Sequence, residues 1–123
     1  MSNDLKTILY IDDDYQAGVL AKVFLERARM NVEIVLNTRE ARKVLADKKI
    51  DLVITDIGLP GETGTQFYEW MVESEYKEIP VILVSAHAMG FSTVLTEHRD
   101  IFFEKPIFFP SFIEKIKKIL GDH

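Results

Sequence analysis

Short apolar runs alternate along the chain with longer stretches in which apolar residues recur at helical spacing. The runs are apolar at nearly every position, which is typical of parallel strands that are covered on both faces. Because helical stretches separate the runs, the pattern predicts a parallel sheet sandwiched between helices. The five predicted strands lie near residues 7–11, 32–36, 51–55, 81–84 and 101–104.

Helical periodicity is clearest after the first strand and at the end of the chain. Apolar residues follow Ala17 at offsets of 3, 4, 7 and 11, which places them on one face of a helix. In the last helix they follow Phe112 at offsets of 1, 4, 7 and 8, and Gly121 is expected to end it. The pattern is weakest between Phe91 and Leu95, which predicts a short fourth helix.

Length and composition favour one small folded domain. The chain has 123 residues, of which 47% are hydrophobic and 28% charged, so we expect a single domain over residues 1–123 with no output domain. The net charge of −5 argues against direct nucleic-acid binding. There are no cysteines, which excludes a disulfide scaffold and a thiolate zinc site. No apolar run is long enough for a membrane span or a signal peptide, so we expect a cytoplasmic protein without a membrane partner.

The carboxyl ends of the predicted strands carry charged and hydroxyl side chains. Ligands of open parallel sheets bind at that edge, so these residues are the candidate site. They are Asp12, Asp13 and Asp14 after the first strand, Asp56 after the third, Ser85 after the fourth and Lys105 after the fifth. Any one aspartate could be a turn residue or a helix cap. Turn geometry does not, however, require carboxylates and a lysine at three separate strand ends.

Clustered carboxylates repel one another, and a cation relieves that repulsion. Oxygen ligands without histidine or cysteine favour Mg²⁺ over zinc. A magnesium ion in such a site usually has an anionic partner, most often a phosphoryl group. Lys105 and the Ser85 hydroxyl would then contact the phosphoryl oxygens.

The motifs at these strand ends resemble those of the receiver domains of two-component response regulators. The resemblance covers essentially the whole chain, and the Asp-x-x-Leu-Pro-Gly segment and the Lys-Pro pair are specific when taken together. It implies a flavodoxin-like, CheY-like doubly wound α/β fold with five parallel strands in the order 2-1-3-4-5 and five helices. The motifs are residues 8–14 (ILYIDDD), 51–61 (DLVITDIGLPG), 81–86 (VILVSA) and 103–106 (FEKP).

The resemblance also implies roles for the acidic residues. Asp56 corresponds to the phosphoacceptor. Asp13 would bind Mg²⁺ directly and Asp12 through water, with Asp56 and the backbone carbonyl of Gly58 as further ligands. Asp14 has no role in the family pattern, and we interpret it as the cap of the first helix.

The remaining family positions concern the response to phosphorylation. Ser85 and Lys105 would close on the phosphoryl group, and the Lys105–Pro106 peptide bond would be cis. Phe102 would be the aromatic switch residue, although a static core aromatic is the alternative. Gly58 and His87 would flank the phosphoryl group and tune the access of water, but an exposed loop histidine is the commoner situation.

The implied function is signalling rather than enzymatic turnover of a substrate. The domain would catalyse its own Mg²⁺-dependent phosphorylation, taking the phosphoryl group from a sensor histidine kinase or a histidine phosphotransfer protein, and its own dephosphorylation. Phosphorylation would switch a partner-binding face near the fourth helix, the fifth strand and the fifth helix. The downstream protein partner is not identified by the sequence.

Two departures from the family pattern affect that face. Only 20 residues separate Ser85 from Lys105, which predicts a trimmed fourth helix. Phe108 and Phe109 stand where the family commonly has polar helix-start residues. They either fill space left by the shortened helix or, with Phe91, form an exposed aromatic patch for docking or homodimerisation.

Two other functions fit parts of the sequence. Asp12 and Asp14 have the Asp-x-Asp spacing of haloacid-dehalogenase-like phosphohydrolases, which would act on small phosphate esters. That assignment does not account for Asp56, and the chain has no room for a substrate cap. A receiver-like binding module that is never phosphorylated is the second alternative, and the full set of site residues disfavours it.

Overall fold

The computed structural model describes residues 5–86 and 101–121. The described part contains five strands that form one sheet, and all neighbouring strands run parallel. The strands are β1 (Thr7–Ile11), β2 (Asn31–Val35), β3 (Leu52–Asp56), β4 (Val81–Ser85) and β5 (Phe102–Glu104). The order across the sheet is β2-β1-β3-β4-β5, so the predicted fold class and strand order are confirmed.

The strand ends differ from the prediction by about one residue. β2 ends at Val35 because Leu36 is exposed and has left the sheet. β3 and β4 each extend through the residue that we predicted as the first site residue beyond the strand, Asp56 and Ser85. Pairing with the neighbouring strand, which apolar patterning cannot show, fixes these ends.

The described residues contain four helices rather than five. They are α1 (Tyr15–Arg27), α2 (Thr38–Asp47), α3 (Gly64–Val72) and α4 (Phe109–Ile119). The predicted fourth helix lies outside the described residues, so α4 is the predicted fifth helix. Within the described part, no helix is long and apolar enough to cross a membrane.

Side-chain caps start three of these helices. Asp14 caps α1, as predicted, and accepts a hydrogen bond from the backbone N–H of Gln16. Thr63 and Gln66 form a reciprocal capping box at the start of α3. These caps fix where the chain turns from the sheet edge into each helix.

Apolar side chains cover both faces of the sheet. One layer packs strand residues such as Leu9 and Val53 against α2 and α3. The other packs Ile8 and Tyr10 against α1 and α4 and includes the fully buried Phe112. Both faces of the sheet are therefore covered, which leaves the strand ends as the place for polar chemistry.

The two adjacent phenylalanines at the start of α4, the N-cap residue Phe108 and the first helical residue Phe109, have opposite environments. Phe109 is only 8% exposed and stacks on Phe24 of α1 with ring centroids 4.4 Å apart. Phe108 is 71% exposed. Phe109 therefore belongs to no exposed aromatic patch, because its ring packs in the α1–α4 core, and only Phe108 of the two remains available for docking. Phe91 lies outside the described residues.

Candidate functional site

The strand order brings the predicted site residues to one edge of the sheet. β1 and β3 are neighbours, so Asp12, which follows β1, and Asp56, which ends β3, lie side by side. β4 and β5 continue the sheet from β3 and carry Ser85 and Lys105 at the same edge. This juxtaposition follows from parallel pairing, because parallel strands present their carboxyl ends together.

Three carboxylates converge at this edge. One oxygen each from Asp12, Asp13 and Asp56 lies within 4.8 Å of the others. Asp12 is 1% exposed and Asp13 is exposed, while the Asp56 side chain is 14% exposed. The cluster thus has a buried member, a mostly buried member and a member open to solvent.

Lys105 partly neutralises the cluster. Its Nζ lies 2.7 Å from Asp12 Oδ2 and 3.3 Å from Asp56 Oδ2. Burial of the ammonium lowers the pKa of Lys105, but the hydrogen bond to Asp12 and the two carboxylate charges outweigh it, so the pKa is raised overall. Lys105 therefore stays protonated and links the ends of β1 and β3.

Backbone N–H groups orient two of the carboxylates. Asp12 Oδ1 accepts a hydrogen bond from the N–H of Asp14 at 2.9 Å, so both Asp12 oxygens have partners. Asp56 Oδ1 accepts from the N–H of Gly58 at 3.1 Å. Because Asp14 is a helix cap and Asp12 is buried in an ion pair, the geometry gives no support to a phosphohydrolase that uses these two residues.

Ser85 and Lys105 are joined through the backbone at the end of the β4–β5 pair. The Ser85 carbonyl accepts a hydrogen bond from the N–H of Lys105 at 2.9 Å, and Ser85 is 2% exposed. The Lys105–Pro106 peptide bond is cis, as predicted. Phe102 on β5 is half-buried and packs against the α2–α3 side of the core, which leaves both the switch and the static-core interpretation open.

Two residues that shape the site were not predicted from the sequence, and Gly64 is the first. A Cβ on Gly64 would lie 2.9 Å from the Asp56 carbonyl carbon and from Ile57 Cα, and closer still to the Asp56 carbonyl oxygen. Only glycine lets α3 start this close to the end of β3. In the sequence Gly64 is one of several glycines in a loop, so no local signal distinguishes it.

Tyr10 is the second. It is 2% exposed and, with Lys105, lines a cavity of about 360 Å³ beside the cluster. Burial, together with the nearby charges of Asp12, Asp56 and Asp14, raises the pKa of Tyr10, so its hydroxyl keeps its proton. Its two-residue offset from Asp12 was the available sequence signal, because alternate strand residues share a face. His87, predicted to flank the phosphoryl group, lies outside the described residues.

A five-stranded sheet with this acidic edge is the architecture of a receiver domain, and comparisons with known proteins agree. The sequence profile of the response regulator receiver domain family matches residues 8–117. The chain therefore belongs to the response regulator receiver domain family of two-component signalling.

Individual relatives match over nearly their whole length. The polar-differentiation response regulator DivK of Brucella anthropi is 30% identical over 120 residues, which cover 95% of this chain and 98% of that protein. A CheY-like response regulator receiver domain protein from Methanospirillum hungatei is 28% identical, with a TM-score of 0.84 over 96% of this chain and 95% of that one. The receiver domain of a signal transduction histidine kinase from Syntrophus aciditrophicus is 27% identical, with a TM-score of 0.84 over 94% and 90% of the two chains.

Proposed function

We propose that the protein is a phosphoacceptor module in which Asp56 receives a phosphoryl group from the phosphohistidine of a sensor histidine kinase or a histidine phosphotransfer protein. The observation that carries this proposal is the position of the Asp56 carboxylate, which lies at the sheet edge within reach of both Lys105 and the carboxylates of Asp12 and Asp13. Membership of the receiver family supports it.

The acidic cluster fits a Mg²⁺ ion. In octahedral coordination at about 2.1 Å, ligand oxygens lie about 3 to 4 Å apart, so three oxygens within 4.8 Å need only small side-chain shifts. We propose Asp12, Asp13, Asp56 and the backbone carbonyl of Gly58 as the residues that would hold the ion, directly or through water. When bound, Mg²⁺ neutralises negative charge on the phosphoryl oxygens.

The transfer step needs little from the protein beyond positioning. One oxygen of the Asp56 carboxylate forms a bond to phosphorus while the P–N bond to the donor imidazole breaks. The electron pair stays on the imidazole nitrogen, which takes up a proton from water. Lys105 supplies a fixed positive charge for the phosphoryl oxygens, because its raised pKa keeps it protonated. Attack by water on phosphorus later releases phosphate and restores the carboxylate.

The signal would leave the site through Ser85 and Phe102. An aspartyl phosphate adds about one further negative charge and new acceptor oxygens, which favours movement of Ser85 and Lys105 towards it. The Ser85 carbonyl accepts a hydrogen bond from the N–H of Lys105, which directly follows β5, and Phe102 is the first residue of that short strand. We propose that this movement alters the face formed by the predicted fourth helix, β5 and α4, where Phe108 is exposed.

Intact-mass spectrometry after incubation with acetyl phosphate and Mg²⁺ tests the proposal. Wild type should gain one phosphoryl group, and Asp56→Asn should gain none. Asp51→Asn is the matched control, since Asp51 lies just before β3 at the opposite end of the same strand and binds the N–H of Thr7. It should be phosphorylated like wild type.

The outcomes separate the alternatives. A wild type that gains no phosphoryl group would favour the binding module that is never phosphorylated. Turnover of a nitrophenyl phosphate that Asp12→Asn abolishes and Asp56→Asn leaves intact would instead favour a phosphohydrolase. Self-association should be tested with Phe108→Ser alone, because a second substitution at Phe109 would also damage the core.

A further inference from the structure

The loop between β3 and α3 is tied to α2 by a charged contact. Glu62 Oε1 and Oε2 lie 2.7 and 2.9 Å from Arg42 Nη1 and Nη2, which is a bidentate ion pair. Thr38, the first residue of α2, also donates a hydrogen bond from its hydroxyl to Glu62 Oε1. We call Thr38, Arg42 and Glu62 the α2 brace.

Stacking fixes the guanidinium of the brace. The Cζ atom of Arg42 lies 4.3 Å from the ring centroid of Trp70 and 5.2 Å from that of Phe67, both on α3. Phe67 is fully buried, so the aromatic platform is part of the core. A planar guanidinium stacked this way presents its two N–H edges in a set direction, which a lysine could not do.

The brace is stronger than an ordinary surface pair. Only about a third of each side chain is exposed, 34% for Arg42 and 30% for Glu62. The hydrogen bond from Arg42 lowers the pKa of Glu62, and the same bond raises the pKa of Arg42, so both stay charged at neutral pH.

The braced loop carries one of the proposed magnesium ligands. Gly58 lies between Asp56, to which it donates a hydrogen bond, and Glu62, four residues further on. Between them, Leu59 is buried and Gly61 has a φ of 76°. The loop therefore has two polar anchors, one at the site and one at the brace, and Gly61, with its positive φ, lies next to the second.

We propose that Arg42 and Glu62 are positioning residues, which hold the β3–α3 loop so that the Gly58 backbone is placed for Mg²⁺ at the Asp56 site. This inference rests on the proposed function. It gives α2, which carries none of the proposed Mg²⁺ ligands, an indirect part in metal binding.

Two charge-removing variants with opposite signs test the proposal. Glu62→Gln and Arg42→Gln both remove the bidentate ion pair of the brace, so each should raise the Mg²⁺ dissociation constant by about tenfold, as loss of an outer-shell contact does. If the residues acted through space by their charge, removing the arginine would tighten Mg²⁺ binding and removing the glutamate would weaken it. The double variant should bind Mg²⁺ no more weakly than the weaker single variant, because the contact is already lost.

The dissociation constant is measured by titrating MgCl₂ and following the Gly58 amide by NMR, with circular dichroism to show that each variant is folded. Lys48→Gln is the matched control, since Lys48 joins the end of α2 to Glu33 by a 2.8 Å ion pair away from the loop. It should bind Mg²⁺ like wild type.

Three results would refute the role of the brace: Mg²⁺ affinities equal to that of wild type, affinity shifts of opposite sign in the two single variants, or additive losses of affinity in the double variant. If wild type itself binds no Mg²⁺, both the proposed function and the role of the brace are refuted. If wild type binds Mg²⁺ and is phosphorylated while the brace variants match it, only the brace is refuted.

Discussion

Removal of the Asp13 charge should stabilise the metal-free protein. Asp13 is exposed, and its carboxylate lies within 4.8 Å of those of Asp12 and Asp56. Lys105 pairs with both Asp12 and Asp56. Its single positive charge offsets only one of these two carboxylates, so Asp13 is repelled by one uncompensated negative charge. Asp13→Asn therefore removes a repulsion, and within residues 5–86 and 101–121 the Asp13 side chain has no hydrogen bond to lose.

Coulomb's law sets the size of the effect. Two like charges 4.8 Å apart repel by about 0.9 kcal/mol in bulk water and about 3.5 kcal/mol at an effective dielectric constant of about 20. Since Asp13 faces solvent, the lower figure applies, and we expect a gain of about 1 kcal/mol in the free energy of unfolding. For a domain of this size that raises the melting temperature by about 4 °C.

Magnesium should reverse the order of stability. Wild type gains about 1.4 kcal/mol when Mg²⁺ is ten times its dissociation constant, whereas Asp13→Asn should gain much less. Asp56→Asn should also lose the response to Mg²⁺, but its gain in metal-free buffer should be smaller, because it gives up the 3.3 Å pairing with Lys105.

Thermal unfolding followed by circular dichroism, in EDTA and over a Mg²⁺ series, measures these differences. Glu69→Gln removes one negative charge from an exposed position within α3 and serves as the control. A melting temperature of Asp13→Asn at or below that of wild type in EDTA would refute the repulsion argument. A wild type indifferent to Mg²⁺ up to tens of millimolar would refute the metal site.

Three further predictions concern residues around the site and the core. Gly64→Ala should lower the free energy of unfolding by about 1 to 3 kcal/mol, because its Cβ would collide with the end of β3. Gly58→Ala should lower it by less than about 1 kcal/mol, because its Cβ would meet only one atom, at 3.9 Å. Equal urea midpoints for the two variants would contradict this prediction. Because Phe109 is buried and Phe108 is exposed, Phe109→Ala should lower the free energy of unfolding by about 3 to 5 kcal/mol and Phe108→Ala by less than about 0.5 kcal/mol. Similar losses for the two variants in urea unfolding would refute their different burial. The raised pKa of Tyr10 means that its stabilisation is complete below about pH 10 and is lost as pH rises further, since the unfolded chain ionises first. Tyr10→Phe should therefore lose less stability than wild type between about pH 9 and 11, and an equal loss would show that Tyr10 ionises freely in the folded state.

The sheet and its polar edge were predictable because they follow from local patterns. Five apolar runs give five strands, and parallel strands must present their carboxyl ends together, which brings Asp12 next to Asp56. The cap at Asp14 is likewise a local rule. Each of these predictions needs only a few neighbouring residues.

The features that the sequence did not predict depend on contacts between distant segments. The pair of Arg42 and Glu62 joins residues 20 apart, and no periodicity relates a helix face to a loop. The glycine requirement at Gly64 comes from the closeness of α3 to the end of β3. The sequence left the burial of Phe109 open because that burial depends on Phe24 of another helix.

The charge balance of the edge explains why a lysine belongs among the carboxylates. Three carboxylates and one ammonium leave two uncompensated negative charges, which one divalent cation would neutralise. A phosphoryl group on Asp56 replaces that carboxylate's single charge with about two, so phosphorylation leaves the edge with one excess negative charge. Because Lys105 contacts Asp12 and Asp56 at once, a change of charge at Asp56 alters its balance between the two partners. If Asp56 is phosphorylated as proposed, the ammonium that balances the resting site would thus also respond to the added charge.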